Sequence, residues 1–180
     1  RITISDLYKN KYNSKIVMLT CYTAPFAKIL DNHVDILLVG DSLGMTIYGH
    51  QDTLSVSLRM MIDHGLCVVN NSSKALVVVD MPFGTYQGDS KTALDSAIRI
   101  MKESGGHAVK LEGGWEIVES VVRIQQAGIP VMGHLGLTPQ SIYKFGTYSV
   151  RAKEQDEATK LLEDAKALED AECFSIVFEK

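Results

Sequence analysis

Cysteine is scarce: three in 180 residues, Cys21, Cys67 and Cys173, widely spaced and odd in number. That suits a reducing compartment and matches no zinc-ligand spacing, so all three are expected to be core or near-core thiols. No apolar run approaches the ~20 residues needed to cross a bilayer. No N-terminal stretch has the charged and apolar regions of a signal peptide. There is no basic excess either. A net charge of −4 gives no reason to expect nucleic acid or an anionic membrane as partner. Low-complexity segments and linkers are missing, so no domain boundary is visible. A cytoplasmic location is the expectation.

What is present belongs to a globular domain, 46% hydrophobic and 22% charged, long enough for one sizeable core. The chain begins at Arg1 and stops at Lys180, directly after a strong apolar run. It is therefore expected to be part of a longer polypeptide.

Short apolar runs alternate with helical patterns along the chain. Strands are expected at 16–20, 35–39, 75–79, 107–111, 130–133 and 174–178. Helices are expected at 23–31, 57–70, about 90–104, 115–127 and 154–172. Residues 1–15 are polar, with Ile2 and Ile4 as possible anchors. The apolar stripe of the second helix is placed at 58, 61, 62, 66 and 69, and that of the third at 93, 94, 97, 98 and 101. The last helix, with Lys160, Glu163, Asp164 and Lys166 among its charges, is expected to be a solvated face. This alternation means parallel strands joined by right-handed crossovers.

The strands end on polar residues. Strand two leads into Gly40-Asp41-Ser42 and strand three ends at Asp80. Strand four carries Lys110 and Glu112, strand five ends at His134 and strand six at Glu179. In a barrel or a doubly wound sheet these ends share one edge, where active sites lie. Side chains at i and i+2 share a face, so Lys110 and Glu112 point together while Val109 and Leu111 point toward the helices. Each residue also has a structural reading. A lone Asp starts turns, Lys110 and Glu112 can form an internal ion pair, and His134 can bond backbone. His50 and His64 are expected to be structural. Three carboxylates without a thiolate, Asp41, Asp80 and Glu112, form a hard-oxygen donor set suited to Mg2+. A 2-oxo acid could chelate such an ion, with Lys110 balancing its carboxylate. A base for the adjacent C–H would be Glu179 or His134.

Four blocks carry a resemblance: Leu38-Val39-Gly40-Asp41-Ser42-Leu43-Gly44-Met45; Val79-Asp80-Met81-Pro82-Phe83; Val109-Lys110-Leu111-Glu112-Gly113-Gly114; and Gly133-His134-Leu135-Gly136-Leu137-Thr138-Pro139-Gln140-Ser141. Together they resemble the ketopantoate hydroxymethyltransferase family, in register over nearly the whole chain. The resemblance implies a (β/α)8 TIM barrel of the phosphoenolpyruvate mutase/isocitrate lyase group. Residues 1–180 would be one barrel domain with about six βα units, apparently truncated after strand six.

The resemblance also implies transfer of a hydroxymethyl group from 5,10-methylenetetrahydrofolate to 3-methyl-2-oxobutanoate through a Mg2+-stabilised enolate, giving 2-dehydropantoate. Asp41, Asp80 and Glu112 match the family's Mg2+ ligands. Asp41, Ser42, Asp80 and Lys110 match its oxo-acid contacts. Glu179 matches its proton acceptor, and His134 a site-lining histidine. A cytoplasmic homodecamer is implied as well. Two departures stand out. The family usually continues beyond the Glu179 position, so six units alone are expected to leave the barrel open and inactive. In the loop 145–153, Thr147, Ser149, Arg151 and Ala152 break the family pattern. The alternatives are a related Mg2+-dependent 2-oxo-acid lyase and a degraded, non-catalytic homologue or fragment.

Overall fold

Six strands lie side by side, all parallel and in chain order: β1 (Met18–Thr20), β2 (Ile36–Val39), β3 (Leu76–Asp80), β4 (Ala108–Glu112), β5 (Val131–Gly136) and β6 (Ser175–Glu179). This is a computed structural model, and it describes residues 1–11 and 13–180. Between the strands run α2 (Ala24–Leu30), α3 (Leu43–Thr46), α4 (Leu58–Asn70), α5 (Ser90–Ser104), α6 (Val118–Gln126), α7 (Ile142–Phe145) and α8 (Gln155–Asp170), with α1 (Ile4–Asn10) ahead of β1. The result is a partial (β/α) barrel. Among the described residues β1 pairs only with β2 and β6 only with β5, so the sheet does not close on itself. No helix among them is long and apolar enough to cross a membrane.

The two faces of each strand carry different layers, as period-two alternation requires. Leu37, Val39, Val77, Val79, Val109, Leu111, Val131 and Leu135 face the helices and form the larger core. On the inner face Ile36, Leu38, Leu76, Val78, Ala108 and Met132 form a second, smaller cluster. Leu7 of α1 packs into it, so this helix plugs the N-terminal end of the half-barrel. The sequence reading left residues 1–15 without an element. The signal for α1 was local: Thr3 and Asp6 form a reciprocal capping box.

The helical stripes are rotated from their expected positions. On α4, Val68 is buried and Leu66 is exposed. On α5, Ala93, Ser96, Ala97, Ile100 and Ser104 are buried, while Ile98 is exposed. Close approach of the two helices explains the shift. A Cβ at Gly65 would lie 2.9 Å from the Ser104 Cβ, so small residues, not the largest ones, mark this contact. On α8 the solvated-face expectation fails at Asp164. It is buried, accepts from the Trp115 backbone N at 3.0 Å and pairs with Lys160 Nζ at 2.6 Å. Gly114 makes the room, since a Cβ there would sit 2.1 Å from the Asp164 carboxyl carbon.

One buried carboxylate pins the turn before β3. Asp31, just past α2, accepts from the backbone N of Ser73, Lys74 and Ala75 and from the Ser73 hydroxyl, at 2.8–3.2 Å. Burial pushes its pKa up, but the donors at Ala75, Ser73 and Lys74 outweigh it and hold the group below its ordinary value. A lowered folded-state pKa adds stability that is present above the unfolded pKa and lost as pH falls through the folded one. Asp31→Asn is expected to cost about 1.5–3 kcal/mol at neutral pH. The difference from wild type should shrink below the ordinary carboxylate range. Urea denaturation across a pH series measures this, and a gap that stays constant in acid would remove the charge as its cause.

Candidate active site

The inner face changes character along its length. Toward the N-terminal ends it is apolar. At the C-terminal ends the same rows continue as Asp80 after Val78, Lys110 and Glu112 after Ala108, His134 after Met132, and Glu179 after Val177. The ladder register sets Asp80 beside Lys110 and Glu112 beside His134. Asp41 and Ser42 follow β2 at the same level. Gly40 keeps the space between them clear, since a Cβ there would meet Ser42 Oγ at 3.0 Å and Asp80 Oδ2 at 3.5 Å. The structure thus brings Asp41, Ser42, Asp80, Lys110, Glu112, His134 and Glu179 together, as the strand-end reading expects.

Their contacts form a chain. Lys110 Nζ lies 2.9 Å from Asp80 Oδ1. Asp80 Oδ2 accepts from the Asp41 backbone N at 3.0 Å. His134 Nδ1 sits between Lys110 Nζ at 3.4 Å and Glu112 Oε1 at 3.3 Å, and its Nε2 is 3.4 Å from Glu179 Oε2. Ser42 Oγ shares a hydrogen bond of 2.8 Å with Tyr22 OH. All but Ser42 and Glu179 are buried; the Glu179 side chain is 41% exposed.

Burial and like charge shape the protonation states. Asp41 is pushed up to about 7, first by burial, then by the neighbouring Asp80 and Glu112. Burial also raises Asp80, with Lys110 and the Asp41 N–H opposing it. Burial works against the Lys110 charge, but Asp80, Glu112 and Asp41 outweigh it, and its pKa is raised. Burial and Lys110 lower His134, yet its contacts with Glu112 and Glu179 carry it above the ordinary imidazole value. Glu179 is lowered, chiefly by its contact with His134, so it is ionised at neutral pH.

A metal would find the donors but no finished cage. Among the described residues no group of three His, Cys, Asp or Glu side chains is already gathered around a metal position. The carboxylates instead turn to protein donors. The donor chemistry still fits a hard divalent cation. Three buried carboxylates face one buried ammonium, an excess of acidic groups that a cation would relieve. Asp80 Oδ1 and His134 Nε2 are enclosed without a well-aligned hydrogen bond.

Sequence reasoning missed Tyr22, Tyr86 and Gln140 at this site. Tyr22 lies two residues past β1, the one strand whose end carried no ionisable group. Tyr86 is fully buried, and its OH meets both the Glu112 backbone and Gln140. Gln140 sat inside a quoted block but is uncharged. His50 and His64, expected to be structural, make these contacts: His50 Nδ1 bonds Ser55 Oγ at 2.8 Å, and His64 Nδ1 meets the Tyr22 carbonyl at 2.6 Å. The loop with the unexpected residues folds back beside Glu179. Arg151 lies 4.2 Å over the Phe145 ring and pairs with Glu157, and its backbone N donates to the Lys180 carbonyl at 2.6 Å. It walls a cavity of about 230 Å³ together with Gly136, Thr138 and Lys160.

Replacing one member of a buried ion pair leaves the other uncompensated. Lys110→Met is therefore expected to destabilise the fold by about 3–5 kcal/mol. Chemical denaturation measures it, and a loss under 1 kcal/mol, on the order of an exposed pair, would mean that Asp80 is not held by the ammonium.

The family model for ketopantoate hydroxymethyltransferase matches residues 1–180. The 3-methyl-2-oxobutanoate hydroxymethyltransferases of Flavobacterium johnsoniae and Christiangramia forsetii are 62% and 61% identical, each alignment covering 100% of this chain and 67% of the relative. Among solved structures, phosphonopyruvate hydrolase in complex with oxalate and Mg2+ superposes with a TM-score of 0.72 at 11% identity, over 99% of this chain and 63% of that one. The 2,3-dimethylmalate lyase, a PEP mutase/isocitrate lyase superfamily member, gives 0.66 at 17% identity, over 98% and 63%. At such identities the likeness shows the fold alone, a partial (β/α) barrel. The chain spans 67% of the length of these curated relatives and 63% of these structural ones. By family model and by identity over its whole length, the chain belongs to the ketopantoate hydroxymethyltransferase family.

Proposed function

We propose that the site serves the transfer of a hydroxymethyl group from 5,10-methylenetetrahydrofolate to 3-methyl-2-oxobutanoate, giving 2-dehydropantoate and tetrahydrofolate. One water is consumed, since the methylene unit and a water together make the hydroxymethyl group. The observation that carries this reading is the convergence of Asp41, Asp80, Glu112 and Lys110 above one apolar floor, in a chain that matches the family from end to end.

Asp41, Asp80 and Glu112 would hold Mg2+. Bound there, the ion would polarise the keto oxygen of the oxo acid and stabilise the negative charge that develops as C3 loses its proton. The chain's own groups do the rest. Lys110 offers a buried positive charge to the oxo-acid carboxylate, and Ser42 a hydroxyl, already oriented by Tyr22. The apolar floor of Leu38, Val78 and Met132 keeps water from below. Glu179 stands at the open side, ionised, and takes the proton from C3. His134, 3.4 Å from Glu179 and 3.3 Å from Glu112, holds that carboxylate toward the interior.

In the full enzyme, Glu179→Gln is expected to abolish solvent exchange of the C3 hydrogen of 3-methyl-2-oxobutanoate, followed by proton NMR in D2O, while the oxo acid still binds. Exchange at the wild-type rate would move the base elsewhere, with His134 the next group to replace. In parallel, Asp80→Ala should remove metal-dependent binding of the oxo acid. Binding that persists equally with and without Mg2+ would overturn the metal assignment.

A further inference from the structure

Gln140 joins two carboxylates of the site, Asp41 through its side chain and Glu112 through its backbone N. It lies in the 3-10 turn Pro139–Ser141 that follows β5, and it is buried. Its Nε2 donates to Asp41 Oδ2 at 2.8 Å and to the Met81 carbonyl at 3.0 Å. Its Oε1 accepts from Tyr86 OH at 2.7 Å and from Gln87 Nε2 at 2.9 Å. Its backbone N donates to Glu112 Oε2 at 2.9 Å. The amide orientation follows from these partners. Reversed, the oxygen would face a carboxylate and a carbonyl, and the NH2 would face another NH2.

We propose that Gln140 is a positioning residue for the divalent-cation site, fixing Asp41 through its side chain and Glu112 through its backbone. The inference rests on the metal reading above. Holding Oδ2 of Asp41 leaves Oδ1 as the oxygen for a ligand and sets the plane of the carboxylate. Tyr86 and Gln87 in turn hold the carboxamide, so the order runs from the segment after β3, through the loop after β5, to the end of β2. Groups that orient metal ligands in this way tune affinity without touching the ion.

The probe is Mn2+, titrated into the protein in the absence of substrate and followed by electron paramagnetic resonance. Gln140→Met keeps the length of the side chain and removes both donors and the acceptor. Its Mn2+ affinity is expected to fall about 10- to 100-fold, measured at a temperature below the lowered thermal midpoint that the unpaired Tyr86 and Asp41 groups bring. Equal affinity in Gln140→Met and wild type would overturn the proposal while leaving the metal reading intact. Wild-type protein that binds no Mn2+ would overturn both. If Gln140→Met does not fold, Gln87→Ala decides. Gln87 is exposed and supplies one of the two donors that orient the carboxamide, so a severalfold loss of affinity supports the proposal and an unchanged affinity overturns it.

Discussion

The buried pair of Lys110 with Asp80, 2.9 Å apart, is the constraint around which the site is arranged. Taking two charges out of water is costly, and mutual attraction repays it only where geometry and further hydrogen bonds are good. The fold meets that condition by ladder register. Adjacent parallel strands put Asp80 and Lys110 at the same height, and the Asp41 N–H takes the second Asp80 oxygen. Once Lys110 is committed to Asp80, Glu112 must find other partners. It takes the Gln140 N–H and the Nδ1 of His134, and His134 then turns its far nitrogen to Glu179. Each contact is conditioned by the one before it.

The floor beneath is as necessary as the pair. Leu38, Val78, Ala108 and Met132 lie one inward step below the polar rim, and Leu7 closes the layer from outside. An apolar layer lowers the local dielectric and strengthens every interaction above it, and it raises the cost of any charge left alone. Asp41, pushed up to about 7, registers that cost. The same property that makes the site expensive to fold makes it responsive to a cation or an anionic substrate.

Much of this was legible in the residues. Alternation with period two is strict, so Lys110 and Glu112 had to share a face, and polar residues ending consecutive parallel strands had to meet. The capped helix α5 was legible for a local reason: Asp89 and Gly105 mark its ends chemically. What escaped depended on paths through space. Whether Leu66 or Val68 faces inward on α4 is decided by where Gly65 meets Ser104, a contact between helices far apart in sequence. Asp164 looked like one more surface charge until Gly114 and the Trp115 N–H were placed against it. Gln140 carries no charge and sits on no strand, and only the course of the loop after β5 brings it to Asp41.

The site is not equally firm throughout. Asp80, Lys110 and Glu112 sit on strands flanked on both sides, and their side chains are buried. Glu179 ends β6, which pairs only with β5 among the described residues, and its side chain is partly exposed. Its place is set by one ladder, by His134, and by the backbone contact of Leu137 N with the Glu179 carbonyl at 2.7 Å. The loop carrying Arg151 is tied to the next residue, Lys180. Of the four residues that break the expected family pattern, Arg151 is therefore bonded to the residue that follows Glu179, the group proposed as proton acceptor. On the proposed reading, a change at Arg151 should fall on how substrate and base meet, because it reaches Glu179 through the backbone of Lys180, whereas Asp41, Asp80 and Glu112 are held by contacts that do not pass through that loop.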